Sequence, residues 1–177
     1  MSEEASDNKK QIRMEMRQTL RLLSNQQKKI ASENIRAQIS KLSLTSCAIF
    51  AGTSTEPNLL PLLKKHSEVR WFLPRVISKT EMEFVEISEN TQLFSGAFGI
   101  LEPTGPTASL RDISTIFCPG IAFTINGSRL GQGCGFYDRF LGQMLNTQII
   151  GICFDCQILK SLPDEHHDIK MSHLITA

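Results

Sequence analysis

Apolar positions recur at three- and four-residue intervals through the N-terminal part of the chain and then switch to short continuous runs. That pattern predicts helices first, then strands alternating with helices. Ile12, Met16, Leu20 and Leu23 mark one face of a first helix, with Lys9, Lys10, Arg13 and Arg17 beside it. Ser24 followed by Gln27 has the form of a capping box, which restarts the chain as a second helix with Ala31, Ile35, Ile39 and Leu42 as its apolar stripe. Cys47-Ala48-Ile49-Phe50-Ala51, ended by Gly52, suits a strand buried on both faces. Residues 56–65 read as a helix with Pro57 near its start, where proline is tolerated. Val69 to Leu73 reads as a second strand stopped by Pro74, and Met82 to Ile87 alternates weakly as a third.

Beyond the loop at residues 99–103, Ile113 to Cys118 is another buried-strand pattern, ended by Pro119-Gly120. Ala122 to Ile125 leads into an Asn126-Gly127 turn. A helix is predicted from Phe136 to Leu145, a strand from Gln148 to Phe154, and a short terminal strand at Leu174-Ile175. The alternation implies an α/β fold: a single three-layer α/β/α domain over residues 9–177, with a mostly parallel sheet and an N-terminal helical pair. Residues 1–8 are polar and read as a flexible N-terminus.

Composition narrows the picture. The chain has 177 residues, 41% of them hydrophobic and 21% charged. That suffices for a self-supporting core without disulfides or metals. Nineteen basic against eighteen acidic side chains leave a formal charge of +1, a balance that predicts no electrostatic grip on nucleic acid or an anionic membrane. The five cysteines are odd in number, irregular in spacing and mostly inside apolar runs. A reduced, cytoplasmic protein is the expectation.

The chemistry concentrates at Arg129-Leu130-Gly131-Gln132-Gly133-Cys134-Gly135-Phe136-Tyr137-Asp138. Alternate glycines let backbone N–H groups converge on an anion, and the following helix presents its positive end to the same place. The spacing is neither the dinucleotide fingerprint nor a Walker loop, and a tight strand-to-helix turn would use the same glycines. Arg129 before them and Asp138 after them fit a metal–phosphate ligand: arginine neutralises phosphate oxygens, and aspartate helps hold magnesium bridging them.

These residues resemble the 5-formyltetrahydrofolate cyclo-ligase family. The resemblance centres on Pro119-Gly120-Ile121-Ala122-Phe123 and the string from Gly127 to Asp138. It extends to Lys9-x-x-x-Arg13, Glu56, Phe72-Leu73-Pro74-Arg75-Val76, Gly99-Ile100-x-Glu102-Pro103 and Leu162-Pro163-x-Glu165-x-His167-Asp168, nearly the whole chain. It implies an enzyme that uses ATP and magnesium to close 5-formyltetrahydrofolate, a small-molecule substrate, into 5,10-methenyltetrahydrofolate; a monomer is the separate expectation. By the same resemblance, Lys9, Lys10, Gln11, Ile12 and Arg13, together with Arg129, Leu130, Gly131, Gln132, Gly133, Cys134, Gly135, Phe136 and Tyr137, bind the nucleotide. Lys9 and Arg13 would contact phosphate, and Asp138 and Asp168 would hold the metal. Ala51, Glu56 and Phe136 would face the folate, and Arg129, Tyr137 and Glu56 would carry catalysis.

The chain departs from the family pattern at Gln132 and Cys134, where many relatives place a basic residue between the glycines, and at Ser172, where an aspartate is common. Those departures define the alternative: a relative that binds folate or nucleotide without turnover. Cys153-Phe154-Asp155-Cys156 is a C-x-x-C, but it ends a predicted strand rather than opening a helix, so redox chemistry is disfavoured. A zinc site built on it with His166 and His167 lacks a second strong ligand pair; both histidines read as surface residues beside Asp168.

Overall fold

A computed structural model describes residues 3–144, 146–163, 165 and 168–177. Two helices open the chain, α1 (Glu3–Leu22) and α2 (Asn25–Ile39). The helical conformation therefore takes in most of the segment that reads as a flexible N-terminus. The capping box between the helices forms as expected: the Ser24 hydroxyl accepts from Gln27 N–H and the Gln27 side chain accepts from Ser24 N–H. Such a cap stabilises the helix start by about 1 kcal/mol.

The chain continues through β1 (Ser46–Ala48), α3 (Leu62–Lys65), β2 (Arg70–Val76), β3 (Met82–Ile87), β4 (Leu93–Ser95), β5 (Leu101–Pro103) and β6 (Thr115–Cys118). It ends with β7 (Ala122–Thr124), β8 (Arg129–Leu130), α4 (Phe136–Leu141), β9 (Gln148–Cys153), β10 (Ile158–Leu159) and β11 (His173–Thr176). Six strands form the central sheet in the order β11-β9-β6-β1-β2-β3. All its pairings are parallel except β2 with β3. The smaller sheets are β10-β7-β8 and β4-β5.

The sheet is buried on both faces because alternate side chains enter two different clusters. Cys47, Trp71, Phe117 and Ile150 pack with Met16, Leu20, Ile35 and Ile39 of α1 and α2 and with Leu62 of α3. Their neighbours Ala48, Phe72, Ile116 and Ile149 pack instead with Phe140 and Leu141 of α4. Helices thus cover both faces of a mostly parallel sheet, the α/β arrangement that the alternation predicts.

Several expected elements differ, among them the strand over 47–51, which ends at Ala48. The helix over 56–65 contracts to α3, with Pro61 as its N-cap residue, a position where the missing proline N–H breaks no helical hydrogen bond. β2 does not stop at Pro74 but runs to Val76. Phe72 C=O accepts from Ile49 N–H, so position 74, two residues on, also faces the β1 side, where β1 has already ended. The missing proline N–H therefore leaves no ladder bond unmade, while Pro74 stays paired with Phe84 of β3. The helix expected to reach Leu145 ends at Leu141 with Gly142 as its cap; residue 145 lies outside the described residues.

One turn positions the site. Gly127 has φ +84 in the β7–β8 connection, and a Cβ there would lie 2.4 Å from Met171 O. Met171 N–H donates to Gly127 C=O. That close approach docks the segment carrying Asp168 beside the strand that delivers Arg129.

Candidate active site

Residues 131–135 connect β8 to α4, with Gly133 at φ +112 and Gly135 at φ +68, conformations open to glycine at little cost. α4 has only six residues, so its end adds little positive potential. Side chains supply the charge instead. A cavity of about 330 Å³ over the loop is lined by Lys9, Lys10, Arg13 and Arg129, and also by Asp138, Glu165 and Asp168.

The cations are held in place. Lys9 Nζ lies 3.0 Å from Asp168 Oδ2 and 3.2 Å from Glu165 Oε2, joining α1 to the C-terminal segment. Burial works against the Lys9 charge, but these two hydrogen-bonded carboxylates more than offset it and hold its pKa above the usual lysine value. Arg13 Nε donates to Gly131 C=O at 2.9 Å. Arg17 donates to the backbone and side-chain oxygens of Gln132, both at 3.2 Å. The Arg129 side chain is 3% exposed, pairs with Asp138, donates to Pro119 C=O at 3.3 Å, and sits 5.7 Å from the Tyr137 ring centroid.

A second cavity, about 580 Å³, also borders the loop. Its walls include Phe50, Ala51, Glu56, Phe98, Ile121, Gln132, Cys134, Phe136 and Tyr137. The two cavities share Arg129, Gly131, Gly135 and Asp138. Glu56 Oε2 accepts from Thr53 N–H at 3.0 Å, and its Oε1 from the Gln132 side chain at 3.4 Å. The Tyr137 hydroxyl is buried with no hydrogen-bond partner among the described residues. Burial, followed by the nearby Cys118 and Glu56, pushes its pKa well above 10, so it stays a neutral donor.

Most of the residues singled out from the sequence therefore converge here. Gln11 and Ile12 do not. Gln11 is exposed and bonds Glu15, while Ile12 packs on the core. Lys10 lines the smaller cavity and also pairs with Asp7. Ser172, which stands where an aspartate is common, bonds the Ile149 backbone in both directions. Sequence reasoning gave no site role to Glu165, Arg21 or Phe98. Phe98 lines the larger cavity at φ +59, its ring 6.3 Å from that of Phe136. For the arginines a signal existed: 9, 13, 17 and 21 form an unbroken four-residue series of basic positions. All five thiols are unpaired, and burial pushes Cys153 of the C-x-x-C up to about 12. His166 and His167 lie outside the described residues.

Among the described residues, no three His, Cys, Asp or Glu side chains are grouped to hold a metal ion alone. Magnesium does not require that. It commonly takes one or two carboxylates and completes its shell with substrate phosphates and water. Asp138 and Asp168, hard oxygen donors on the wall of one cation-rich cavity, fit such a role. No helix among the described residues is long and apolar enough to cross a membrane.

A mostly parallel-sheet α/β domain with a cation-lined cavity at its glycine loop, sharing four lining residues with a larger and more apolar cavity, has the layout of a small-molecule enzyme. The 5-formyltetrahydrofolate cyclo-ligase family model matches residues 5–177, and the chain belongs to that family. It is 28% identical to the 5-formyltetrahydrofolate cyclo-ligase of Mycolicibacterium smegmatis, over 95% of this chain and 93% of the relative. It is 30% identical to that of Escherichia coli, over 73% of this chain and 76% of the relative. The structure of Aquifex aeolicus 5,10-methenyltetrahydrofolate synthetase superposes with a TM-score of 0.85 at 29% identity, covering 95% of this chain and 89% of that one.

Proposed function

We propose that the protein couples ATP to the cyclisation of 5-formyltetrahydrofolate, giving 5,10-methenyltetrahydrofolate, ADP and phosphate. The supporting observation is the shared wall: Arg129, Gly131, Gly135 and Asp138 border both cavities, so ligands in the two would meet at the loop. The nucleotide phosphates take the smaller cavity, with Lys9, Arg13, Arg129 and the loop backbone as their partners. The folate takes the larger one, beside Ala51, Glu56 and Phe136.

The formyl oxygen attacks the γ-phosphorus, and the bond to ADP breaks. The formamide oxygen, a poor leaving group as hydroxide, thereby becomes a good one as phosphate. The neighbouring folate amine adds to the activated carbon and loses its proton. The C–O bond then breaks, phosphate departs, and the methenyl bridge is closed. Positioning and charge neutralisation carry most of the rate enhancement in such phosphoryl transfers. Arg129 neutralises phosphoryl charge, and the neutral Tyr137 hydroxyl donates to an oxygen at the cavity boundary. Glu56, fixed by Thr53 N–H, orients the folate. Magnesium would neutralise further phosphate charge, with Asp138 and Asp168 as its carboxylates. Lys9 and Asp168 hold each other in the free protein and would separate to meet phosphate and metal.

We read residues 9–177 as one domain acting as a cytoplasmic monomer. The test of the reaction is direct: 5-formyltetrahydrofolate, ATP and magnesium should give the methenyl absorbance band, and omission of ATP should abolish it. Thermal stabilisation by both ligands without product would instead identify a binding protein.

A further inference from the structure

Lys9, Arg13, Arg17 and Arg21 stand four residues apart along α1. Each four-residue step advances about 6 Å and turns the side chain roughly 40° around the helix. The series therefore winds from one cavity to the other: Lys9 and Arg13 line the smaller, Arg17 and Arg21 the larger. The first three have partners within the chain: Lys9 on Asp168 and Glu165, Arg13 on Gly131 C=O, Arg17 on Gln132. Other cations on the larger cavity are also occupied, Arg75 by Glu83 and Arg129 by Asp138. Arg21 is exposed, and it has neither a hydrogen bond nor an ion pair to any described residue. The same cavity holds two carboxylates, each fixed by backbone N–H groups rather than by a cation: Glu56 accepts from Thr53 N–H, and Glu102 from the Val76 and Ala97 N–H groups.

The geometry points to a carboxylate subsite at the mouth of the larger cavity, formed by Arg21 with Arg17, that receives the glutamyl tail of the folate. This rests on the cyclo-ligase reading, which puts a folate in that cavity. A reduced folate is neutral at its pterin end and carries two carboxylates on its terminal glutamate. Each further γ-linked glutamate adds one more. A ligand so polarised is matched by a wall whose uncompensated positive charge lies one helical turn farther along α1 than the loop contact made by Arg17. The same helix thus meets anionic groups at both ends of the bound pair, phosphates at Lys9 and Arg13 and carboxylates at Arg17 and Arg21.

The test compares Arg21→Ala, Arg21→Glu and Arg21→Lys with the unmodified protein on three substrates: 5-formyltetrahydropterin, which has no tail, and the mono- and triglutamate forms of 5-formyltetrahydrofolate. Exposed ion pairs of this kind change affinity by roughly 1.5- to 5-fold. Arg21→Ala should raise KM for the monoglutamate by about threefold, and Arg21→Glu should raise that for the triglutamate by about tenfold. Arg21→Lys should restore most of the loss. KM for the pterin and for ATP should not move. The triglutamate KM of the unmodified protein should rise with salt, and that dependence should flatten in Arg21→Glu. Equal effects on all three substrates, or none on the glutamylated ones, would overturn the subsite. Calorimetric binding of p-aminobenzoyl-triglutamate separates this inference from the reaction itself. If Arg21→Glu binds it as tightly as the unmodified protein, the subsite is wrong whether or not folate turns over. If 5-formyltetrahydrofolate is never cyclised but the fragment binds through Arg21, the subsite stands and the reaction assignment fails.

Discussion

Tyr137→Phe separates function from packing at the centre of the site. The hydroxyl is buried and has no hydrogen-bond partner among the described residues, while the ring lies under the Arg129 guanidinium. A buried polar group left unsatisfied costs about 1–3 kcal/mol. Phenylalanine keeps the ring and removes that cost, so the variant should be more stable by about 1 kcal/mol, which corresponds to roughly 2–4 °C in Tm for a domain of this size. Turnover should move the other way. A hydrogen bond to a charged oxygen contributes about 1.5–3 kcal/mol, so losing the one made to a phosphoryl oxygen should lower kcat/KM by roughly 10- to 100-fold. The assay pairs thermal denaturation of the free protein with ATP-dependent formation of the methenyl product. A less stable variant that keeps full activity would refute the reasoning, since the hydroxyl would then serve the fold rather than the ligand.

Lys9→Met should destabilise the fold by about 1–3 kcal/mol, less than a dry ion pair would because Glu165 and Asp168 retain partial solvent contact. The Lys9 pKa is raised above 10.5 in the folded protein, so its contribution is complete below that value and disappears as pH rises through the folded pKa. The difference in Tm between the two proteins should therefore hold constant up to about pH 10 and shrink above it; a difference independent of pH would contradict the pairing. Gly133→Ala places a Cβ near only the Arg13 side chain, at 3.7 Å, so its cost is backbone strain at φ +112. It should lower stability by about 1–3 kcal/mol and raise KM for ATP, read by denaturation and initial rates. Among the thiols, exposed Cys134 should react first with a disulfide reagent and be protected by ATP with magnesium. Cys47 and Cys118, pushed up to about 11 by burial, should react only on unfolding.

What the sequence revealed follows from which interactions are local. The Ser24–Gln27 cap, the Met82–Ile87 strand and the buried runs of β6 and β9 depend on neighbouring residues and can be read directly. Pro74 misled because its tolerance depends on where β1 stops, a fact of tertiary register. Pro61 is a local signal too, and it marks where α3 starts. The glycine loop was legible as a string, since its glycines and flanking charges lie within ten positions. Its wiring was not. Lys9 and Asp168 each read as ligand-binding, yet nothing in the sequence says that two residues 159 positions apart hold one another. The same is true of Arg129 and Asp138, and of the cations that replace a helix end too short to attract phosphate. Gln132 and Cys134 read as a loss of positive charge; Arg13 and Arg17, bonded to the loop from α1, bring charge back to it.

The central claim is that the larger cavity presents a formyl oxygen to the γ-phosphorus across the shared wall. Oxygen-18 placed in the formyl group of 5-formyltetrahydrofolate tests it most directly. The account predicts that one labelled oxygen appears in the released phosphate for every methenyl product formed. Unlabelled phosphate, with the label recovered in water, would contradict it.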